Sequence, residues 1–181
     1  MPFAAGVVAS QTPRMDSPSR GEAIATLQEG QSELDRLLAN LSDAELTERA
    51  TIGGGDWSAK DLIGHMAHWE ELALEAIVAA RAAEPYPVQR SADEENAQDI
   101  ERKALLSLDE VRSSAVRTHQ MLLEELEAMT DDEWRSKPMF GEKREGRLGI
   151  LLGGILGAPK RPFGHAFAHL DDVKAYADSL R

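Results

Sequence analysis

The sequence predicts an all-α fold, a bundle of four helices, on three observations. Ala, Leu and Glu are abundant, and apolar residues recur three and four positions apart, the period of a helix with one buried face. No run of alternating β-branched residues is long enough to propose a sheet. Helix starts recur as capping boxes, in which a Ser or Thr hydroxyl accepts from the third helical N–H and the acid there reaches back. Ser42/Glu45, Ser58/Asp61, Ser91/Glu94, Ser107/Glu110 and Thr130/Glu133 fit that pattern. At 181 residues and 19.8 kDa, one domain can bury a core without disulfide or metal staples.

Residues 1–18 read as a disordered tail before a bundle domain at 19–181. The tail has no basic start, and Gln11, Pro13, Arg14 and Pro18 interrupt its apolar run, so no targeting signal is expected. A first helix spans 22–39, and Gly53, Gly54 and Gly55 hinge the chain into a second at 58–83. Trp57 and Leu62 flank that second start as a hydrophobic staple, and Pro85 and Pro87 end the helix. A third helical region covers 93–129, with a break near Ser107, and a Gly-rich, irregular connection follows at 141–161. The fourth helix is expected over 162–180, because Pro162 suits a first helical turn. Residues 148–158 are apolar but hold four glycines in eleven positions. They fall short of the roughly 20 residues a bilayer requires, so no membrane association is expected and a cytoplasmic protein is the default.

Charge and cysteine content narrow the chemistry. With 20 Lys and Arg against 32 Asp and Glu, the net charge is −12, and such a chain is expected to bind no nucleic acid. There is no cysteine, which removes thiolate nucleophiles, thiolate zinc sites and disulfides and leaves His, Asp and Glu as metal ligands. Five histidines carry most of the remaining information.

Helical projection divides them. On the second helix Leu62, Met66, Trp69, Ala73, Ala76, Ile77 and Ala80 form the apolar sector; His65 borders it, and His68 turns toward Asp61, Glu71 and Glu75 as a solvated rim residue. On the fourth, His165 and His169 share a face with Val173, Tyr176 and Ala177. Four-residue spacing stacks two imidazoles one turn apart, where they can grip one divalent cation. With His65 from a neighbouring helix, three neutral imidazoles form an open site of the catalytic type. His119, beside Leu122, Leu123 and Leu126, reads as packing in preference to a pocket residue. Trp69 and Tyr176 likewise read as packing residues ahead of a substrate pocket. Glu70 projects far from His65 and is not assigned as a base. Lys143, Arg144, Arg147, Lys160 and Arg161 read as a solvated loop, although they could attract an anionic cofactor. Gly153 and Gly154 lack the lysine of a phosphate-binding loop.

The segment at 55–70, with Trp57, Ser58, the polar pair Lys60 and Asp61, and His65 eight residues after the tryptophan, resembles the second-helix signature of the DinB-like superfamily. His165-Ala-Phe-Ala-His169 resembles that family's fourth-helix pair, and the stretch from Ala97 to Trp134 its third helix and following turn. The likeness covers about residues 22–180. It implies a four-helix bundle with up-down-down-up connections, in a bacterial protein and as a homodimer. It also implies His65, His165 and His169 as ligands of a divalent metal, zinc or nickel. Relatives include mycothiol-dependent maleylpyruvate isomerases, bacillithiol transferases and ClbS/DfsB-type resistance proteins. One departure is the connection at 141–161, longer than the family pattern and read as a lid or a dimer loop.

Three readings follow. The first is a metal-dependent enzyme that activates a small thiol or water for transfer or hydrolysis of a small-molecule substrate; the thiol would be a low-molecular-weight cosubstrate, because the chain has none. The second is a stress or resistance protein that holds a small molecule in the bundle without turnover. The third is a dimerisation bundle whose histidines merely pack.

Overall fold

The structure, a computed structural model, describes residues 18–49, 51–52, 56–86, 91–140, 143–144, 146–157 and 161–181. The expected tail lies outside these residues except for Pro18, and the glycine hinge at 53–55 lies outside them entirely. Eight α-helices are present among the described residues: α1 (Arg20–Leu38), α2 (Asp43–Thr47), α3 (Ala59–Ala82), α4 (Ala92–Lys103), α5 (Leu108–Ala128), α6 (Asp131–Arg135), α7 (Leu148–Ile155) and α8 (Leu170–Ser179). A 3-10 turn (Ala166–Ala168) precedes α8, and a two-residue antiparallel ribbon pairs β1 (Met139–Phe140) with β2 (Lys143–Arg144).

All five anticipated capping boxes are formed, and a sixth, Ser19/Glu22, opens α1. At α3, Ser58 Oγ accepts from Asp61 N at 3.1 Å, while Asp61 Oδ2 accepts from Ser58 N at 2.9 Å. The left-handed conformation of Ala83, φ 55°, then ends α3 ahead of Pro85. The break expected near Ser107 separates α4 from α5.

Helix α3 is the spine. It packs against α2, α4, α5 and α7, while α1 packs against α5, α8 and the 3-10 turn. The core divides into two clusters along the bundle. One gathers Leu72, Ala76, Ile77, Leu122, Leu126, Trp134, Leu152 and Phe163; the other gathers Leu34, Leu38, Leu46, Leu62, Met66, Val173 and Tyr176. On α3 His65 lies beside Met66, at the end of the stretch that serves the second cluster, and His165 lies between Phe163 of one cluster and Ala166 of the other.

Two expectations are corrected. The connection at 141–161 is not wholly irregular, because its apolar centre forms α7, which lays Leu148 and Leu152 into the core. Nor does a continuous helix run from residue 162. Phe163 takes φ 60° and buries its ring, stacked on Trp134 at 5.8 Å between centroids, and a tight 3-10 turn follows before α8 begins at Leu170. A left-handed non-glycine residue costs local backbone energy, offset here by burial of the ring. No helix among the described residues is long and apolar enough to cross a membrane.

Candidate metal centre

The bend after Phe163 fixes His165. Gly164 N donates to Arg161 O, His165 N to Leu156 O at 3.1 Å, and His169 N to Ala166 O at 3.0 Å. Gly30 of α1 lets this turn approach. A Cβ built there would stand 2.9 Å from Ala166 Cβ and 3.1 Å from the Phe167 ring, so α1 needs glycine where it meets the turn. Arg161 caps the same corner, with its guanidinium 3.8 Å from the centre of the Phe167 ring and paired to Glu29 at 2.9 Å.

The structure therefore brings together the three histidines that projection placed inward, although two of them flank a 3-10 turn and do not share one α-helix. His65 Nε2 is 3.0 Å from His165 Nε2, and His169 Nε2 is 3.3 Å from the same atom. One nitrogen from each ring lies within 4.8 Å of the others. Trp57 lies over His65 with 4.8 Å between centroids, and Trp69 stands edge-on to His165 at 5.9 Å, with its Nε1 donating to Asn96 Oδ1 at 3.1 Å. Burial first, and the neighbouring imidazoles second, hold His65 down to about 2 and His165 to about 3; His169 is lowered by burial. All three rings are thus neutral at ordinary pH, the form that donates a lone pair to a metal.

The donor set suits a divalent ion. Two nitrogens bound at about 2.0–2.1 Å to one ion lie about 3.0–3.4 Å apart for octahedral to tetrahedral angles, as the two short separations do; the third pair, which lies within 4.8 Å, must stand below about 4.2 Å for one ion to hold all three nitrogens. The Nδ1 atoms of His65 and His165 are buried without a hydrogen-bond partner among the described residues. Ring orientation at this centre therefore rests on packing against the indoles.

The other two histidines depart from expectation. His68 is not a solvated rim residue: its side chain is 12% exposed, with Nε2 3.2 Å from Glu95 and Nδ1 3.6 Å from Asp99. Helix α4 folds back over this side of α3 after the proline turn and brings Asp99, whose carboxylate also pairs with Lys103 at 3.0 Å. Projection of one helix shows where a side chain points and not what covers it. His119 does more than pack. Its Nδ1 lies 2.7 Å from Oε1 of buried Glu70, and both residues line a cleft of about 570 Å³. Trp69 and Tyr176 do not line that cleft; the Tyr176 hydroxyl donates to Glu45 O at 2.7 Å. Sequence reasoning missed Glu70 as a cleft residue. The available signal was an acid at 70 beside Met66 and Ala73, on an otherwise apolar sector.

A sequence profile of the DinB superfamily matches residues 26–170. No curated protein sequence matches the chain significantly. Among solved structures, YfiT from Bacillus subtilis, described as a probable metal-dependent hydrolase with an unusual four-helix bundle topology, superposes with a TM-score of 0.63 at 16% identity, covering 96% of this chain and 95% of its own. A mycothiol-dependent maleylpyruvate isomerase superposes with a TM-score of 0.60 at 18% identity, over 90% of this chain and 61% of the isomerase. The colibactin self-resistance protein ClbS, in complex with double-stranded DNA, gives a TM-score of 0.61 at 14% identity, over 91% of this chain and 95% of that one. These likenesses place the fold. The ClbS complex also overturns the exclusion of nucleic acid drawn from the net charge of −12. Net charge sums over a whole chain, whereas contact with a duplex is local, so an acidic total does not exclude a DNA-binding surface on this fold.

Proposed function

The chain belongs to the DinB superfamily, and from that premise we propose that it is a metal-dependent enzyme whose three-imidazole centre activates a small thiol or water for transferase or hydrolase chemistry. The observation that carries this reading is the convergence of three buried, neutral imidazole nitrogens from α3, the 3-10 turn and the start of α8. His65, His165 and His169 would hold the ion, zinc or nickel by the chemistry of an all-nitrogen donor set. The chemistry it supplies when bound is Lewis acidity, which makes a thiol or water a nucleophile near neutral pH. Trp57 and Trp69 orient the rings and exclude bulk water. A thiol must come from a cosubstrate, because the chain has no cysteine.

A second reading, a resistance protein that holds a small molecule without turnover, is favoured by the 570 Å³ cleft and by the likeness to ClbS. Metal analysis of untagged protein beside a His165→Ala/His169→Ala variant decides the first point. One equivalent of zinc or nickel in the wild type and none in the variant is expected; a metal-free wild type purified without chelator sinks the enzyme reading. Mycothiol, bacillithiol and glutathione with electrophilic acceptors then separate the reactions. Turnover that is indifferent to every thiol excludes the transferase, and binding of an acceptor with no turnover supports the second reading.

A further inference from the structure

The face of α3 that turns toward α1 and α5 carries a polar pair that the metal reading does not use. Glu70 is 5% exposed and His119 sits beside it, with His119 Nδ1 donating across 2.7 Å to Glu70 Oε1. The cleft they line, about 570 Å³ between α1, α3 and α5, lies within the roughly 300–1,000 Å³ of small-molecule sites. Its walls include Leu34, Ile63, Met66, Ala67, Ala115 and Leu123.

Most other polar side chains in this cleft are already occupied. Gln31 donates to Asp35 at 2.7 Å, Arg112 pairs with Asp43 at 3.2 Å, and Gln120 donates to Glu124 at 2.8 Å. With Nδ1–H committed to Glu70, neutral His119 offers its Nε2 lone pair, which has no hydrogen-bond partner among the described residues. Burial alone would lower the proton affinity of His119, but the hydrogen bond and charge of Glu70, with the charge of Asp35, outweigh it and raise that affinity above ordinary imidazole. The arrangement is that of an imidazole oriented and balanced by a buried carboxylate, the pairing that makes histidine an effective base.

We propose that this cleft binds a small, apolar-bodied molecule bearing one weakly acidic thiol or hydroxyl, and that His119 takes the proton of that group while Glu70 balances the imidazolium. In the transfer the X–H bond breaks, its electron pair stays on X, and the proton moves to His119 Nε2. The proposal stands without a metal. A gap of about 10 Å³, bordered by Gln31, Met66 and Glu70 on the cleft side and by His165 on the other, has room for about one water and not for a ligand.

The test uses para-nitrophenol, whose ionised form absorbs at longer wavelength than the neutral one, against nitrobenzene, which has a similar body and no acidic proton. Full-length protein is titrated with each by calorimetry and visible absorbance from about pH 6 to about pH 8, across the imidazole range, and the phenolate fraction of bound para-nitrophenol is compared with that of the free probe at each pH. Para-nitrophenol is expected to bind about tenfold tighter than nitrobenzene and to show the phenolate band when bound. His119→Gln should keep nitrobenzene binding, which reports an intact cleft, and lose both the band and the preference. Ala115→Trp fills the cleft and should abolish binding of both probes. His165→Ala/His169→Ala should leave all of these signals in place, so failure of the metal reading and failure of this one are distinguishable. The proposal is overturned by equal affinity of wild type for the two probes, by no saturable binding of either, by a phenolate band that survives His119→Gln, or by binding indifferent to Ala115→Trp.

Discussion

Along one side of α3, His65 faces His165 and His169, imidazole against imidazole, whereas elsewhere on the same helix Glu70 meets His119 and His68 meets Glu95 and Asp99. Burial is common to both settings and pushes every ring toward neutrality. The partners then decide. Where no carboxylate answers, His65 falls to about 2 and His165 to about 3; where carboxylates answer, His68 and His119 rise above the ordinary value. One helix thus contributes His65 to a group of lone-pair donors suited to a cation and, elsewhere on its surface, His68 and the Glu70 partner of His119 to settings suited to holding a proton.

The largest way to break this contrast is to remove a donor. His165→Ala should weaken binding of zinc or nickel on the order of a thousandfold, a share of the roughly 10–16 kcal/mol typical of structural zinc sites. His119→Gln should change it little. Competition against a chromophoric chelator measures both, and equal losses would mean that the two sides are not independent.

The second effect is the pH dependence of the metal-free protein. His68 and His119 fold with raised values, so their stabilisation is complete below the ordinary imidazole value of 6.5 and is lost as pH rises through their folded values. His65 and His165 fold with values of about 2 and 3, so their contribution is complete above 6.5 and is lost as pH falls toward those values. Between about pH 8 and about pH 5, urea midpoints of His165→Ala should therefore fall less than wild type, and those of His119→Gln should fall more. Shifts of the same sign in both variants would contradict the opposed settings.

A smaller change should injure one side alone. Gly30→Ala drives a methyl against Ala166 and Phe167, for about 1–3 kcal/mol of overpacking. It should reduce metal affinity by displacing the turn that carries His165, while the para-nitrophenol response of the cleft persists. Loss of both signals would place Gly30 in service of the whole bundle. Smallest is Ser58→Ala, which removes the cap of α3 for about 1 kcal/mol and should lower the denaturation midpoint without separating the two sides.

Several of these features were legible in the sequence because their causes are local. Capping boxes at Ser42, Ser58, Ser91, Ser107 and Thr130 need only a hydroxyl and an acid three residues apart, and each one forms. The Ser19/Glu22 box obeys the same rule and was equally readable. The inward direction of His65 followed from the apolar period of α3. The continuous fourth helix failed because the Phe163 ring gains more by stacking on Trp134, thirty residues upstream or so in the chain, than the backbone gains by continuing a helix from Pro162. The apolar run that forms α7 carried too many glycines for propensity to favour a helix, yet Gly149 is where the Trp134 ring lies against the backbone.

By itself the sequence determined the helical class, the capped helix starts, the absence of thiols and the four-residue spacing of His165 and His169, since each depends on composition or on neighbours within about one turn. Only the tertiary structure decided what each imidazole faces. Helix α4 brings Glu95 and Asp99 over His68, α5 brings His119 to Glu70, and the bend at Phe163 brings His165 to His65. Protonation and coordination act over a few ångströms of space, and the residues that supply those ångströms lie 27 to 100 positions apart in the chain.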